Sequence, residues 1–280
     1  MWNQIKTILL LGLLSGLMLV AGFFIGGNYG LTIALAIALV MNFGSYFYSD
    51  KIVLRMYKAQ PAKKSEHPKI HKIVEDVAHK AHIPKPKIYI VPSDNANAFA
   101  TGRNPKNAVI ACTQGILKIL DANELKGVIA HEIAHVKNRD ILVATIAATI
   151  ATVISYLAMM ARFAAIFGGM RDDRGGNGLS LLFLAILTPI IAVIIQLAIS
   201  RSREYLADST GAKFTKEPKA LASALHKLEQ ANKNNPIRFG NTATSSLFIT
   251  NPFSARGLVS LFSTHPAMQE RIKRLNEMKI

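Results

Sequence analysis

Gly127-Val128-Ile129-Ala130-His131-Glu132-Ile133-Ala134-His135-Val136-Lys137-Asn138-Arg139-Asp140 is the stretch from which the rest of the chain is read. Val128, Ile129, Ile133, Ala134 and Val136 recur at helical spacing, and Asp121 with Glu124 three residues on resembles a capping box. A helix is therefore expected from about Asp121 to Asn138. Positions i and i+4 of a helix share one face, which sets His131 and His135 side by side with Glu132 next to the first. Two imidazoles so placed can bind one zinc ion, and the adjacent carboxylate can reach a water at that ion.

Immediately beyond Asp140 the composition changes. No Asp, Glu, Lys or Arg occurs from Ile141 to Ala161, from Gly175 to Ser200, or from Thr7 to Ser49. A helix needs about 20 apolar residues to cross a bilayer, where free backbone groups find no partner. The N-terminal stretch is long enough for two spans, near Ile5–Ile25 and Leu31–Ser49, separated by the turn-forming Gly26-Gly27-Asn28-Tyr29-Gly30. Two more are expected near Ile141–Ile166 and Leu179–Ser200, although a hairpin buried against protein would carry the same composition. Gly12, Gly16, Gly22 and Gly26 either admit a close neighbouring helix or simply face lipid. A cleaved signal peptide is disfavoured by the length of the apolar run and its continuation into a second span.

The chain has 280 residues, 33 Lys and Arg against 17 Asp and Glu, and a net charge of +16. Lys51, Arg55 and Lys58 follow the second span, Lys137 and Arg139 precede the third, and Arg201 and Arg203 follow the fourth. The positive-inside rule then places both termini and both large hydrophilic segments in the cytoplasm. Attraction to an anionic lipid bilayer accounts for the surplus charge. No zinc-finger pattern or aromatic-interleaved basic motif points to nucleic acid, and no GxxxxGK[ST] points to ATP. The single cysteine, Cys112, excludes an intrachain disulfide and reads as a buried, inert thiol. The domain organisation is 1–50, an N-terminal membrane hairpin; 51–140, a hydrophilic part with the histidine helix; 141–200, a second hairpin; and 201–280, a second hydrophilic part.

A catalytic zinc keeps three protein ligands and leaves a place for water. The third should lie at the same depth as His135, which stands just before the third span. The window 202–208, just after the fourth, returns the chain to that depth and holds Glu204 and Asp208, again at i and i+4. Glu204 is the candidate third ligand, and Asp208 the carboxylate that orients a ligand histidine. In the hydrophilic parts, Ile70, Ile73, Val74, Val77, Ala78 and Ala81 mark an amphipathic helix, and Lys87–Val91 and Asn107–Ala111 read as strands. Further helices are expected near Pro218–Asn232 and Pro266–Met278. The loop Asn234–Pro252 between them carries one apolar patch, Leu247-Phe248-Ile249. His67, His71, His79, His82 and His226 read as surface or capping residues.

HEIAHVKNRD (131–140), SREYLAD (202–208), NAFATG (97–102) and THPAMQERIKRL (264–275) together resemble the HtpX-type membrane zinc metalloproteases, relatives of the eukaryotic CAAX prenyl protease. The resemblance covers nearly the whole chain. It implies an α+β, mainly helical protein: four membrane helices, a cytoplasmic zincin-like (gluzincin) domain and a small β-sheet. It implies one Zn2+ per chain on His131, His135 and Glu204, and Glu132 as general base. It also implies an ATP-independent endopeptidase of the bacterial inner membrane, linked to heat shock, that acts on damaged or misfolded membrane proteins and unfolded polypeptides. In that light Asn97, Ala98, Phe99 and Ala100 are candidates for an exposed edge strand that pairs with substrate backbone, with Phe99 in an ordinary core turn as the alternative. His265 and Arg271 are candidates for stabilising an oxyanion or touching substrate, with a plain helix start at Pro266 as the alternative.

Two other readings compete. An intramembrane protease would carry its histidines within a span, but Lys137-Asn138-Arg139-Asp140 is too polar for the bilayer centre. A non-catalytic scaffold with structural zinc would close the site with a fourth protein ligand.

Overall fold

The N-terminal apolar arm folds back on itself. In the computed structural model, which describes residues 2–142, 201–234, 247–250 and 267–280, helical backbone (α1) runs Trp2–Met56. The expected turn is present but tighter than a loop: Gly27 adopts a φ of +56°, and helical geometry continues on both sides. A side chain on Gly22 would overlap both Ala34 and the Gly30 carbonyl, so the two arms meet there backbone to backbone. Farther along, the Asn42 Nδ2 donates to the Ser15 hydroxyl at 2.7 Å across the arms. Gly12 and Gly16 face open space, so close packing accounts for Gly22 and not for them. Among the described residues α1 is the one helix long and apolar enough to cross a membrane, judged by its Gly27–Gly44 segment. The expected hairpin over 141–200 falls almost wholly outside the described residues, as does His265.

Lys58, with φ +52°, ends α1 and turns the chain into a four-stranded sheet. The strands are β1 (Gln60–Pro61), β2 (Lys87–Val91), β3 (Ala98–Thr101) and β4 (Val109–Thr113), in the order β1-β2-β4-β3. β2 and β4 are parallel, and β1 and β3 pair antiparallel on the outside. Strand alternation sorts the side chains onto two faces. Ile88, Ala98, Ile110 and Cys112 join the main core with the helices. Tyr89, Val91, Phe99, Val109 and Ala111 face Val53, Leu54 and Tyr57 at the end of α1. The hydrophilic domain is thus fastened to the root of the apolar hairpin by its own sheet. Arg103, just past β3, adds a cation–π contact on Phe47 at 5.0 Å.

On the other face lie α2 (Pro68–Lys80), α3 (Gln114–Ile119) and α4 (Ala122–Lys137), followed by α5 (Arg201–Thr215), α6 (Pro218–Asn234) and α7 (Met268–Glu277). α2 starts on Pro68 and buries Ile70, Val74, Val77 and Ala78, as its periodicity predicts. The Asp121–Glu124 capping box forms as expected. α4 is central, packed against α2, α5, α6 and β3. The hydrophilic parts on either side of residues 143–200 therefore share one core. Burying Ile129 and Ile133 completely stabilises that core by roughly 1.5–3 kcal/mol each.

Candidate metal centre

α5 approaches α4 with almost no separation at one point, and that point is a glycine. A Cβ on Gly211 would lie 2.8 Å from the His131 nitrogen and 2.9 Å from the Ala130 carbonyl carbon. One and two turns earlier on the same helix, Asp208 and Glu204 face the histidines of α4. The Nε2 atoms of His131 and His135 are 3.1 Å apart; Glu204 places Oε2 3.7 Å from the first and Oε1 3.5 Å from the second. These three residues form a cluster whose ligand atoms lie within 4.8 Å of one another. Zn–N and Zn–O bonds of about 2.0–2.1 Å in a tetrahedron separate ligand atoms by about 3.3 Å. The site as folded matches that spacing to within a few tenths of an ångström.

The far nitrogen of each imidazole is also held. His131 Nδ1 lies 2.9 Å from Asp208 Oδ1, and His135 Nδ1 lies 3.1 Å from Asp140 Oδ2. A carboxylate on Nδ1 directs the Nε2 lone pair inward, as metal-ligating histidines require. Asp208 was anticipated from its spacing. Asp140 was not: the only signal was a carboxylate shortly after the second histidine. Gly211 carried no signal either, since its role is in the helix crossing.

Glu132, Asp140, Glu204 and Asp208 are all buried around two imidazoles, a donor set that calls for a cation. Burial pushes the Glu132 carboxyl up to about 7; His135, the Ala100 N–H and Arg271 oppose the rise, and the Glu204 charge adds to it. Burial alone would lower His135, but Asp140, Glu204 and Glu132 outweigh it and bring that imidazole up to about 9. Burial likewise opposes the charge on Asp208, yet Arg271 and His131 hold its carboxyl down to about 2.

Arg271 is completely buried. Its Nε and Nη2 donate to the two Asp208 oxygens at 2.8 and 2.7 Å, and its Nη1 donates to the Ile249 carbonyl at 3.1 Å while lying 3.4 Å from Glu204. Where an oxyanion or substrate contact was expected, the guanidinium is engaged with Asp208, the Ile249 carbonyl and the candidate ligands, its Nη2 lying 3.4 Å from the His131 ring nitrogens. Cys112 is buried and its thiol is pushed up by that burial, consistent with an inert core residue.

The edge strand also differs from expectation. β3 is at the sheet margin, but Asn97, Ala98, Phe99 and Ala100 are all buried. Phe99 joins an aromatic cluster with Tyr57 and Phe248, at centroid distances of 5.8 and 5.1 Å. Outward hydrogen-bonding capacity is partly taken: the Ala98 carbonyl accepts the Ile249 N–H at 3.2 Å. The Asn97 amide clamps Thr250, donating to its carbonyl at 2.8 Å and accepting its N–H at 3.4 Å. Asn232 donates from its amide to the Thr250 hydroxyl and accepts from Asn95 at 2.8 Å. The apolar patch 247–249, expected in a flexible loop, is therefore a buried strap on β3. The Ala100 N–H donates a hydrogen bond to the Glu132 carboxylate.

Residues 64–279 match the model of peptidase family M48. A curated relative described as a protease HtpX homolog, from Syntrophobacter fumaroxidans, is 53% identical over 99% of this chain and 100% of its own length. A second, from Pyrococcus furiosus, is 53% identical over 98% of this chain and 95% of its own. Among solved structures, Ste24p from S. mikatae superposes with a TM-score of 0.55 at 20% identity, covering 98% of this chain and 65% of that one. That likeness concerns the fold.

Proposed function

The chain belongs to peptidase family M48, which makes it a metalloendopeptidase, and on that premise we propose that it is a zinc enzyme of the inner membrane that cuts misfolded or damaged membrane proteins at the cytoplasmic surface without ATP. The observation that carries the reading is the convergence of His131, His135 and Glu204 at tetrahedral spacing beside a buried Glu132.

In this reading His131, His135 and Glu204 hold one zinc ion, which would supply Lewis acidity toward a water and the scissile carbonyl. Glu132 accepts the proton of the attacking water on its carboxylate and returns it to the departing amine. Burial raises that carboxyl above the usual carboxylate range, which favours its accepting a proton. Asp208 and Arg271 keep His131 in the required tautomer. Substrate backbone meets the strand edge at Ala100, where it competes with Glu132 for the N–H. That contact recognises main chain and so favours unfolded segments of many sequences. His265 stays a candidate for the oxyanion on the strength of its motif. The root of α1 anchors the site against the bilayer, with both termini, the two large hydrophilic parts and the active site cytoplasmic and four helices spanning.

The test is zinc stoichiometry and hydrolysis of an unfolded polypeptide by detergent-purified protein, beside Glu204→Ala. One zinc per chain with hydrolysis, both lost in the variant, is expected. Full zinc content in Glu204→Ala would instead fit a structural site closed by other ligands.

A further inference from the structure

α4 does not simply stop after His135. Asn138 caps it, and Arg139 then takes a φ of +59°, a left-handed conformation usually left to glycine. The Arg139 N–H donates to the Val136 carbonyl at 3.1 Å and the Asp140 N–H to the His135 carbonyl at 3.0 Å. This reversal has a geometric consequence. On a continuing helix a residue five positions after His135 would sit about 140° around the axis, facing away from it. The left-handed residue instead folds Asp140 back over the last turn, where its buried carboxylate lies 3.1 Å from His135 Nδ1. A non-glycine residue in that conformation is strained, so the neighbouring contacts must hold it there.

We infer that Asp140 is a positioning residue for the metal site: it receives the Nδ1–H of His135 and fixes that imidazole with Nε2 toward the ion, as Asp208 does for His131. The inference rests on the reading of His131, His135 and Glu204 as ligands. It adds a second, independent carboxylate–imidazole pair, supplied from the C-terminus of the histidine helix itself. Asp140 is also the last residue before the uncharged stretch Ile141–Ala161, and Arg203 is the third residue after the uncharged stretch Gly175–Ser200. The half-buried Arg203 guanidinium has Asp140 and Glu204 as the carboxylates that offset its desolvation. Asp140 therefore faces both His135 and a cation supplied by α5.

The test uses the full chain in detergent with Asp140→Ala, Asp140→Asn and Glu204→Ala. Zinc affinity is measured by chelator competition, and the Co2+-substituted protein by its visible absorption. Asp140→Ala should weaken zinc binding roughly 10–100-fold and shift the cobalt bands, with kcat falling more than KM changes. Asp140→Asn keeps the shape and an acceptor without the charge, and should recover part of the affinity. If Asp140→Ala does not fold, Asp140→Asn decides alone, a measurable loss of affinity with altered cobalt bands supporting the assignment. Parental affinity and spectrum in the folded Asp140 variants, with binding abolished in Glu204→Ala, would overturn the inference and leave the ligand set standing. Unchanged binding in Glu204→Ala would overturn the ligand set itself.

Discussion

Gly211→Ala is the substitution whose outcome the structure decides most sharply. On an open helix face alanine is favoured over glycine by about 0.8–1 kcal/mol, so the change would stabilise α5 if there were room. There is none: the new methyl would lie 2.8 Å from the His131 nitrogen, where ordinary contact begins at 3.4 Å. Both closest atoms are backbone of α4 and cannot rotate away. The helices must part by about 0.6 Å, and overpacking of this kind costs roughly 1–3 kcal/mol, cancelling or exceeding the helix gain. The same movement stretches His131 Nδ1 to Asp208 from 2.9 Å to about 3.5 Å, beyond useful hydrogen-bond length. It also carries Glu204 off the histidine pair. Zinc affinity should fall roughly 10–100-fold, as when outer partners of a metal site are lost. Chelator competition and thermal unfolding in detergent measure the two effects separately. Gly127→Ala is the control. Its methyl would lie 3.1 Å from Leu221 Cα, tight between α4 and α6, and should lower stability while sparing zinc. If Gly211→Ala bound zinc like the parent, or Gly127→Ala weakened zinc as much, the helix crossing would not be what sets the ligands.

Metal uptake should be proton-linked. His135 in the apo protein holds its proton up to about 9 rather than 6.5, and the ligand must be neutral. Zinc affinity should therefore rise about tenfold per pH unit from neutrality toward pH 9, with about one proton released per ion. Calorimetry in two buffers of different ionisation heat reads this directly, and a pH-independent affinity would contradict it. The apo protein carries the complementary signature. A raised folded value means His135 contributes stability fully below pH 6.5 and loses it as pH rises through about 9. Phe248→Ala should cost roughly 3–5 kcal/mol, because it empties the cluster with Tyr57 and Phe99 and loosens the strap on β3. Urea unfolding and limited proteolysis near 247–250 check it; a loss below about 1 kcal/mol would mean the strap does not depend on this ring.

The local signals in the chain were strong where a single helix or strand decides the answer. HEIAH at 131–135, the capping box at Asp121 and Glu124, the amphipathic face of α2 and the turn at Gly27 all follow from spacing within one element. Glu204 and Asp208 were reachable from the expectation that residues just after the second pair of apolar stretches return to the level of His135. Long-range contacts were hidden. β1 arose in a segment that looks like a polar linker, because Pro61 is tolerated on an edge strand. Leu247-Phe248-Ile249 looked like an isolated patch in a polar loop; only the folded chain brings its partners, Tyr57 and Phe99, from far away in sequence. Asn97 looked available to substrate because nothing local shows that Thr250 occupies it. Arg271 read as an oxyanion or substrate contact because its partner Asp208 lies 63 positions away.

The proposed function puts proton transfer on Glu132, at a metal centre formed by other residues. Its most direct test is Glu132→Gln, purified in detergent beside the parent and assayed for zinc content and for cleavage of an unfolded polypeptide. One zinc per chain is expected in both, with turnover lowered at least roughly 100-fold in the variant, the scale of a lost general base. A variant that retains zinc and cuts at the parental rate would contradict it.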